Sequence, residues 1–562
     1  MKKTLVNKVI AAVLAGTMIF SLAACGDKPA ENQPTQGAAA TQAAATKAPD
    51  PTKASDATAT PAPTPIAITI SLPSDEEHLE ANELYDKLVA ELNTYLNANI
   101  TWQWQDQATY YDAEHLGLKL STGDVADVLV VGKDASFLSA AEDGLFWDLA
   151  PYIDDYDNLA TIPEATRQNA SANGKLYGLP RSRTLARNGL GYRLDWLNNL
   201  GLKEPTTWDA YTKMLHEFTS GDPDQNGVDD TVGLGIDAWT GVWNIMMTWF
   251  GVPNEWGIDA NGELIYKVMT PEYKTALKAF RELYEDGVIN IGQEGIGGAD
   301  YDFINVSAGK ARDNILRTGL AGSGVQVLDD QRKVQTYFVD QGLYGASNEE
   351  GGLVYTLQGA VDTGLGKLCY PTTGMNNLIA VSTKNIKTEE QLRAVLNVLN
   401  RINDGVCLNL IEYGWEGETY DINSDGYVRL WPATDDDGTT HEPVASAKYK
   451  NGFNQVIPYF TAESNPRPVS TQVGGTPVTD LEQKLYAEDI QYCVPNYGAS
   501  FTSYFYMAKG SDLDAIIADA QQAYIRCEID EAALDAAIQQ WWDAGGKTVT
   551  QEMNKYYKES KK

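Results

Sequence analysis

Gly123-Asp124-Val125-Ala126-Asp127-Val128-Leu129-Val130-Val131 decides the fold. Its last four residues are a continuous apolar run of the kind buried on both faces of a parallel sheet. Downstream, Ala135 to Glu142 has a helical pattern. Upstream, Ile100 to Trp104 alternates apolar and polar like a strand, and a helix follows around His115 to Leu120. Further back, Ile66 to Leu72 reads as a strand. Between the two upstream strands, Leu84, Leu88, Leu92 and Leu96 form a helical stripe at four-residue intervals. This βαβαβ order predicts a doubly wound α/β lobe that takes ligands at the carboxyl ends of its strands. The end of the chain differs. Leu513–Ile525 and Glu531–Asp543 read as helices, and a break at Gly545-Gly546 precedes one more.

The beginning of the chain predicts its location. Lys2, Lys3 and Lys8 precede an apolar stretch from Val9 to Ala24, too brief for a comfortable membrane span. Leu22-Ala23-Ala24-Cys25 closes that stretch and resembles the bacterial lipobox, in which the Cys is acylated and the chain is cut before it. Residues 1–24 are therefore expected to be a lipoprotein signal peptide, and Cys25 a lipid anchor on the outer face of the cell membrane. Residues 25–65 are rich in Ala, Thr and Pro and contain no aromatic residue. Such a segment cannot bury enough apolar surface to offset its ordering entropy, so it should remain a disordered tether. As a flexible coil it would span roughly 35 Å.

The formal net charge is −34, and loss of the three leader lysines, with no acid lost, takes it to −37. A surface this acidic repels phosphate backbones, which excludes nucleic acid as a partner. Apart from Cys25 the cysteines are Cys369, Cys407, Cys493 and Cys527, without CxxC spacing. They could pair in three ways, but four thiols do not make a disulfide scaffold for so long a chain, and buried free thiols are expected.

Several segments resemble, in order and spacing, the extracellular solute-binding proteins (family 1 type) of carbohydrate ABC importers. Gly123 to Val128, Ala141 to Leu149 and Pro151-Tyr152-Ile153 are similar to the first lobe of that family. Gly174-Lys175-Leu176-Tyr177-Gly178-Leu179-Pro180 resembles the entry to the hinge. Arg193 to Leu197, Leu200-Gly201-Leu202 and Pro205-Thr206-Thr207-Trp208 resemble the opening of the second lobe, and Gly545-Gly546 with Asn554 and Tyr556 the ending. Residues 301–366 match poorly. The resemblance implies a two-lobed periplasmic-binding-protein-like fold of type II, with doubly wound lobes joined by a hinge. The lobes would comprise residues 66–187 with 373–412, and 188–372 with 413–562, with crossings near 181–188 and 345–373. It also implies a non-catalytic monomer that closes over a sugar and presents it to the membrane permease subunits of an ABC importer.

Asp222-Pro223-Asp224-Gln225-Asn226-Gly227-Val228-Asp229-Asp230 carries chemistry that can be argued from spacing alone. Oxygen side chains stand at positions one, three, five and nine, with Gly at six, as in the start of a calcium loop. Asp222, Asp224, Asn226, Asp230 and the Val228 carbonyl are the expected ligands of a structural Ca²⁺. Position twelve, usually a bidentate Glu, is Gly233. A shorter loop, as in family members resembling the alginate binders, would end its ligation near Asp230 and Thr231, where a Glu often stands in place of the Thr. The alternative is an acidic turn in which Gly227 supplies a positive φ. Asp421-Ile422-Asn423-Ser424-Asp425-Gly426 begins in the same way, but Arg429 occupies position nine and would repel a cation; a hairpin turn is expected there.

Thirteen Trp and 30 Tyr against 12 Phe favour rings with a polar edge, suited to stacking on sugar C–H faces. Trp239, Trp243 and Trp415, with Glu416, are the candidate ligand contacts, although any one Trp could equally be core. Arg181 and Arg183, and after them Arg187, follow the hinge entry and could grip an acidic or hydroxyl-rich ligand, or form a solvated basic edge. No HExxH, GxSxG, P-loop or GxGxxG motif occurs. A binder of peptide or another polar solute on the same fold is an alternative, and a surface-anchored polysaccharide-degrading enzyme a further one.

Overall fold

The structure is a computed structural model. It describes residues 65–74, 83–236, 241–289, 316–317, 319–340, 353–422, 428–430, 433–434, 440–441, 453–456 and 477–562. The leader, Cys25 and the tether lie outside them, as do Trp239 and parts of the poorly matching centre. Residues Ile66–Lys562 form one compact unit.

The first lobe begins with β1 (Ile66–Ser74), α1 (Glu83–Leu96), β2 (Ala98–Asp106), α2 (Gln107–Tyr110), α3 (Ala113–Thr122), β3 (Val128–Val131) and α4 (Ala135–Glu142). The chain then enters β4 (Leu179–Ser182) and crosses to β5 (Asn188–Arg193). Beyond the crossing come β6 (Val232–Leu234), the small β7 (Trp256–Ile258) and β8 (Leu264–Tyr266) hairpin, β9 (Ala321–Val327) and β10 (Tyr355–Gln358). The chain returns to the first lobe through β11 (Met375–Val381).

Two sheets organise the lobes. The first has the order β2-β1-β3-β11-β4, the second β10-β5-β9-β6. In the first, β1 runs parallel to β2 and β3, while β11 is antiparallel to β3 and β4. Val128–Val131 is 0–4% exposed, as a strand covered on both faces requires. Along α1, Leu88, Leu92 and Leu96 are buried against the same core. Asp112 caps α3 by accepting from the His115 amide at 2.8 Å, and Asp134 caps α4 through Phe137 at 2.9 Å.

The second core gathers around β5, β6 and β9 and includes the C-terminal helices Tyr504–Ile525, Glu531–Trp541 and Lys547–Ser560. The break between the last two is local. Gly545 has φ 150°, and a Cβ there would lie 2.1 Å from the Phe505 ring. Only glycine fits that backbone and that approach.

Residues just beyond 412 do not join the second lobe. Phe453 and Val456 are buried in the first core, and Trp415 packs against it. The helix Pro477–Asp489 instead buries Val478 and Leu485 with Leu328 and Leu357, beside the second sheet. Around Asp421, strands 420–422 and 428–430 pair antiparallel, Ile422 opposite Val428, which is the expected hairpin.

Candidate functional site

Strand directions bring one end of each sheet to the crossings. In the first sheet the carboxyl ends of β1, β2, β3 and β4 lie together with the start of β11, because Met375 pairs with Ser182 and Leu378 with Val131. In the second, β6 and β10 run in the same direction as β9, whose last residue, Val327, pairs with Asn188 at the start of β5. Their carboxyl ends therefore also approach the crossing. Such ends are where open α/β sheets bind ligands.

The crossing is a pair of chain segments joined by hydrogen bonds. Arg183 N–H donates to Gly374 O at 2.9 Å, and Thr372 N–H to Leu185 O at 2.9 Å. Asn188 Nδ2 donates to Tyr370 O at 2.9 Å. Arg187 ties this segment to the second lobe: its Nε and Nη2 donate to the two carboxylate oxygens of Asp329 at 2.8 and 2.7 Å. Burial pushes the Asp329 carboxyl up, but the Arg187 hydrogen bonds and charge more than reverse this and hold it below the usual range.

At the first sheet's edge, β11 carries an irregularity between Met375 and Leu378, where Asn377 adopts φ 73°. Asn tolerates this left-handed backbone better than most residues. The turn lets Asn377 Nδ2 donate to the Tyr111 hydroxyl at 2.8 Å. Burial pushes that phenol up to about 12, against the opposing pull of Arg181. Arg181, at the end of β4, is only 6% exposed. Its Nη1 reaches Asn376 O at 3.5 Å and its Nε has no hydrogen-bond partner among the described residues. Burial, then the neighbouring charge of Arg183, pulls this guanidinium down to about 10. Lys133, just after β3, donates to the carbonyls of Asn169, Ser171 and Ala499 at 2.9, 2.5 and 3.0 Å. Burial lowers its ammonium to about 8. Asn173 N–H adds a bond to Ser500 O at 2.7 Å, so segment 499–502 is fastened to the first lobe. Gly498, just before it, sits against the Trp256 ring of the second core.

This arrangement has counterparts among known proteins. The sequence profile of the bacterial extracellular solute-binding protein family matches residues 79–312. Lipoprotein LipO of Bacillus subtilis (strain 168) is 30% identical over 84% of this chain and 88% of its own length. The chain belongs to the bacterial extracellular solute-binding protein family. The polygalacturonan/rhamnogalacturonan-binding protein YtcQ of the same organism is 26% identical over 85% of this chain and 89% of its own. The crystal structure of an extracellular solute-binding protein from Bifidobacterium longum subsp. infantis shares the fold. It aligns with a TM-score of 0.64 at 15% identity, covering 88% of this chain and 98% of that one. The family is one of binding proteins, YtcQ among them, and this member of it is not an enzyme.

Within that family fold the expected aromatic contacts separate. Trp243 is core, 2% exposed, with its ring 5.2 Å from Phe280. The reason is its helix, Gly241–Trp249, which is so largely apolar that every residue but Asn244 is buried. Trp415 is pinned to α1: its indole N–H reaches the Glu91 carboxylate at 3.0 Å, and Lys87 Nζ lies 4.1 Å above the ring. Glu416 next to it is exposed. Arg181 and Arg183 do reach the crossing. Tyr111, Asn377 and Lys133 escaped the sequence reading, although each lies just past a strand's carboxyl end or at the start of β11, and that position was the available signal.

The acidic loop folds on itself. Gly227, at φ 75°, donates its N–H to the Asp222 carboxylate at 3.2 Å. Asn226 Nδ2 lies between Asp224 and Asp230, at 2.9 and 3.3 Å. The donor chemistry suits a hard cation, with six oxygen-bearing side chains in nine residues, four of them at the expected ligand positions. The Asn226 amide, however, fills the space between two of the carboxylates. Among the described residues no three His, Cys, Asp or Glu side chains are grouped to hold a metal. Thr231 turns away, donating its hydroxyl to Phe218 O at 2.8 Å, so ligation would end at Asp230. Cys369, Cys407, Cys493 and Cys527 are free thiols.

Proposed function

We propose that this protein is a lipid-anchored extracytoplasmic receptor that captures an oligosaccharide by lobe closure and delivers it to an ABC import permease. The observation that carries this reading is the pair of sheets presenting their carboxyl ends to a crossing of two hydrogen-bonded segments, in a chain related over most of its length to the polysaccharide-binding YtcQ. A ligand touching both edges stabilises the closed state by its differential affinity for closed over open. The polar groups at the first edge, Arg181 with its unpartnered Nε and the hydrogen-bonded Tyr111–Asn377 pair, suit hydroxyl-rich ligands. Cys25 supplies the anchor, and a single chain suffices for the function. Ca²⁺ bound by Asp222, Asp224, Asn226, Asp230 and the Val228 carbonyl is proposed as structural. When bound it would draw the loop's carboxylates together and neutralise them, and Asn226 would turn its amide oxygen toward the ion.

The test is a thermal-shift and calorimetric screen of the purified protein against neutral and acidic oligosaccharides and short peptides. A melting temperature raised by oligosaccharides alone supports the reading. Stabilisation by peptides alone would replace it with the peptide-binder alternative.

A further inference from the structure

We propose that the captured sugar carries a carboxylate, as a uronic-acid oligosaccharide does, and that Arg181 receives it, with Arg183 beside it. This rests on the sugar-capture reading and names the class of sugar.

The argument begins with cations at the shared edge. Lys133 is occupied by three carbonyls, and Arg187 by both oxygens of Asp329. Arg181 has no carboxylate partner among the described residues, although it is 94% buried by area and the chain as a whole has a net charge of −34. Such an excess of acid could have supplied a counter-ion here. Asp134, which lies with Asn377 around Gly132, is committed elsewhere: it caps its own helix through Phe137.

Burying a guanidinium without an anion is unfavourable, and Arg cannot escape by losing its proton near neutral pH. The charge of Arg183 adds to the penalty. An anion arriving at the carboxyl edge relieves both at once. A planar carboxylate is the group that matches the guanidinium fork, through two parallel N–H···O bonds. The same residues would gain far less from a neutral hydroxyl, because it brings no charge.

The experiment compares oligogalacturonides of two to six residues with their carboxyl-reduced counterparts, which keep the linkage and carry a neutral hydroxymethyl group in place of each carboxylate. Calorimetry on the wild-type protein should show the uronates binding at least about tenfold more tightly, the least expected of one charge-assisted pair. Arg181→Gln should abolish that preference and Arg183→Gln should reduce it. If Arg181→Gln does not fold, Arg181→Lys keeps the charge while losing the fork, and should retain only part of the preference. Equal wild-type affinity for both series would overturn this inference and leave sugar capture intact. A preference that survives in the folded Arg181 and Arg183 variants would overturn the residue assignment. Failure of every sugar, acidic or neutral, would overturn the parent reading as well.

Discussion

The Arg187–Asp329 pair offers the most direct test of how the crossing is held. Its two hydrogen bonds, 2.8 and 2.7 Å, join the segment before β5 to the first turn of the helix Leu328–Asp340. The side chains are 26% and 10% exposed, so screening by water is limited. Breaking one partner of such a pair strands a desolvated charge and should cost about 2 to 4 kcal/mol. The compact unit has about 500 residues. At an unfolding entropy of about 2 cal/mol/K per residue, the loss of 3 kcal/mol lowers Tm by about 3 °C. Asp329→Asn and Arg187→Met should each show this drop. The double variant should cost much less than the two singles added, since no lone charge remains. Chemical denaturation of all four proteins gives the coupling energy. The carboxyl of Asp329 is depressed in the folded state, so the pair's contribution is complete above the unfolded carboxylate's range and is lost as pH falls through the folded value. The coupling should therefore vanish in strong acid. Additive single-variant costs at neutral pH, with coupling under about 0.5 kcal/mol, would refute the reasoning.

Trp243→Phe should lower stability by about 1 to 3 kcal/mol while leaving oligosaccharide affinity unchanged, because the ring is core; a selective loss of affinity would return it to the ligand site. Chelation by EGTA should lower Tm and Ca²⁺ restore it, with about 2.7 kcal/mol of stabilisation when free ion is a hundredfold above its Kd. Asp224→Ala should erase that difference, and a wild-type melting curve indifferent to EGTA would make the loop an acidic turn. Cys25→Ala should shift the protein from the detergent phase to the aqueous phase, since acylation is its only proposed hydrophobic tether; unchanged partitioning would remove the anchor.

The local code was legible wherever one face of an element decided its fate. Val128–Val131 could be read as a doubly covered strand because four apolar residues in a row leave no face for water. The leucine stripe of α1 and the break at Gly545 are equally short-range. The arginines after Pro180 were visible because the crossing follows β4 within a few residues.

Tertiary structure decided what periodicity cannot carry. Trp243 could have faced either a ligand or the core, and only the packing of its helix against Phe280 resolved the choice. Trp415 lies hundreds of residues from Lys87 and Glu91, so its attachment to α1 has no trace in its own neighbourhood. The same separation hid the meeting of Tyr111, Arg181 and Asn377, which comes from strand order and direction. A sequence of this kind fixes which residues want burial and where the chain must turn. Which distant side chains then share one edge follows from how the sheets close, because register places them there and not their sequence neighbours.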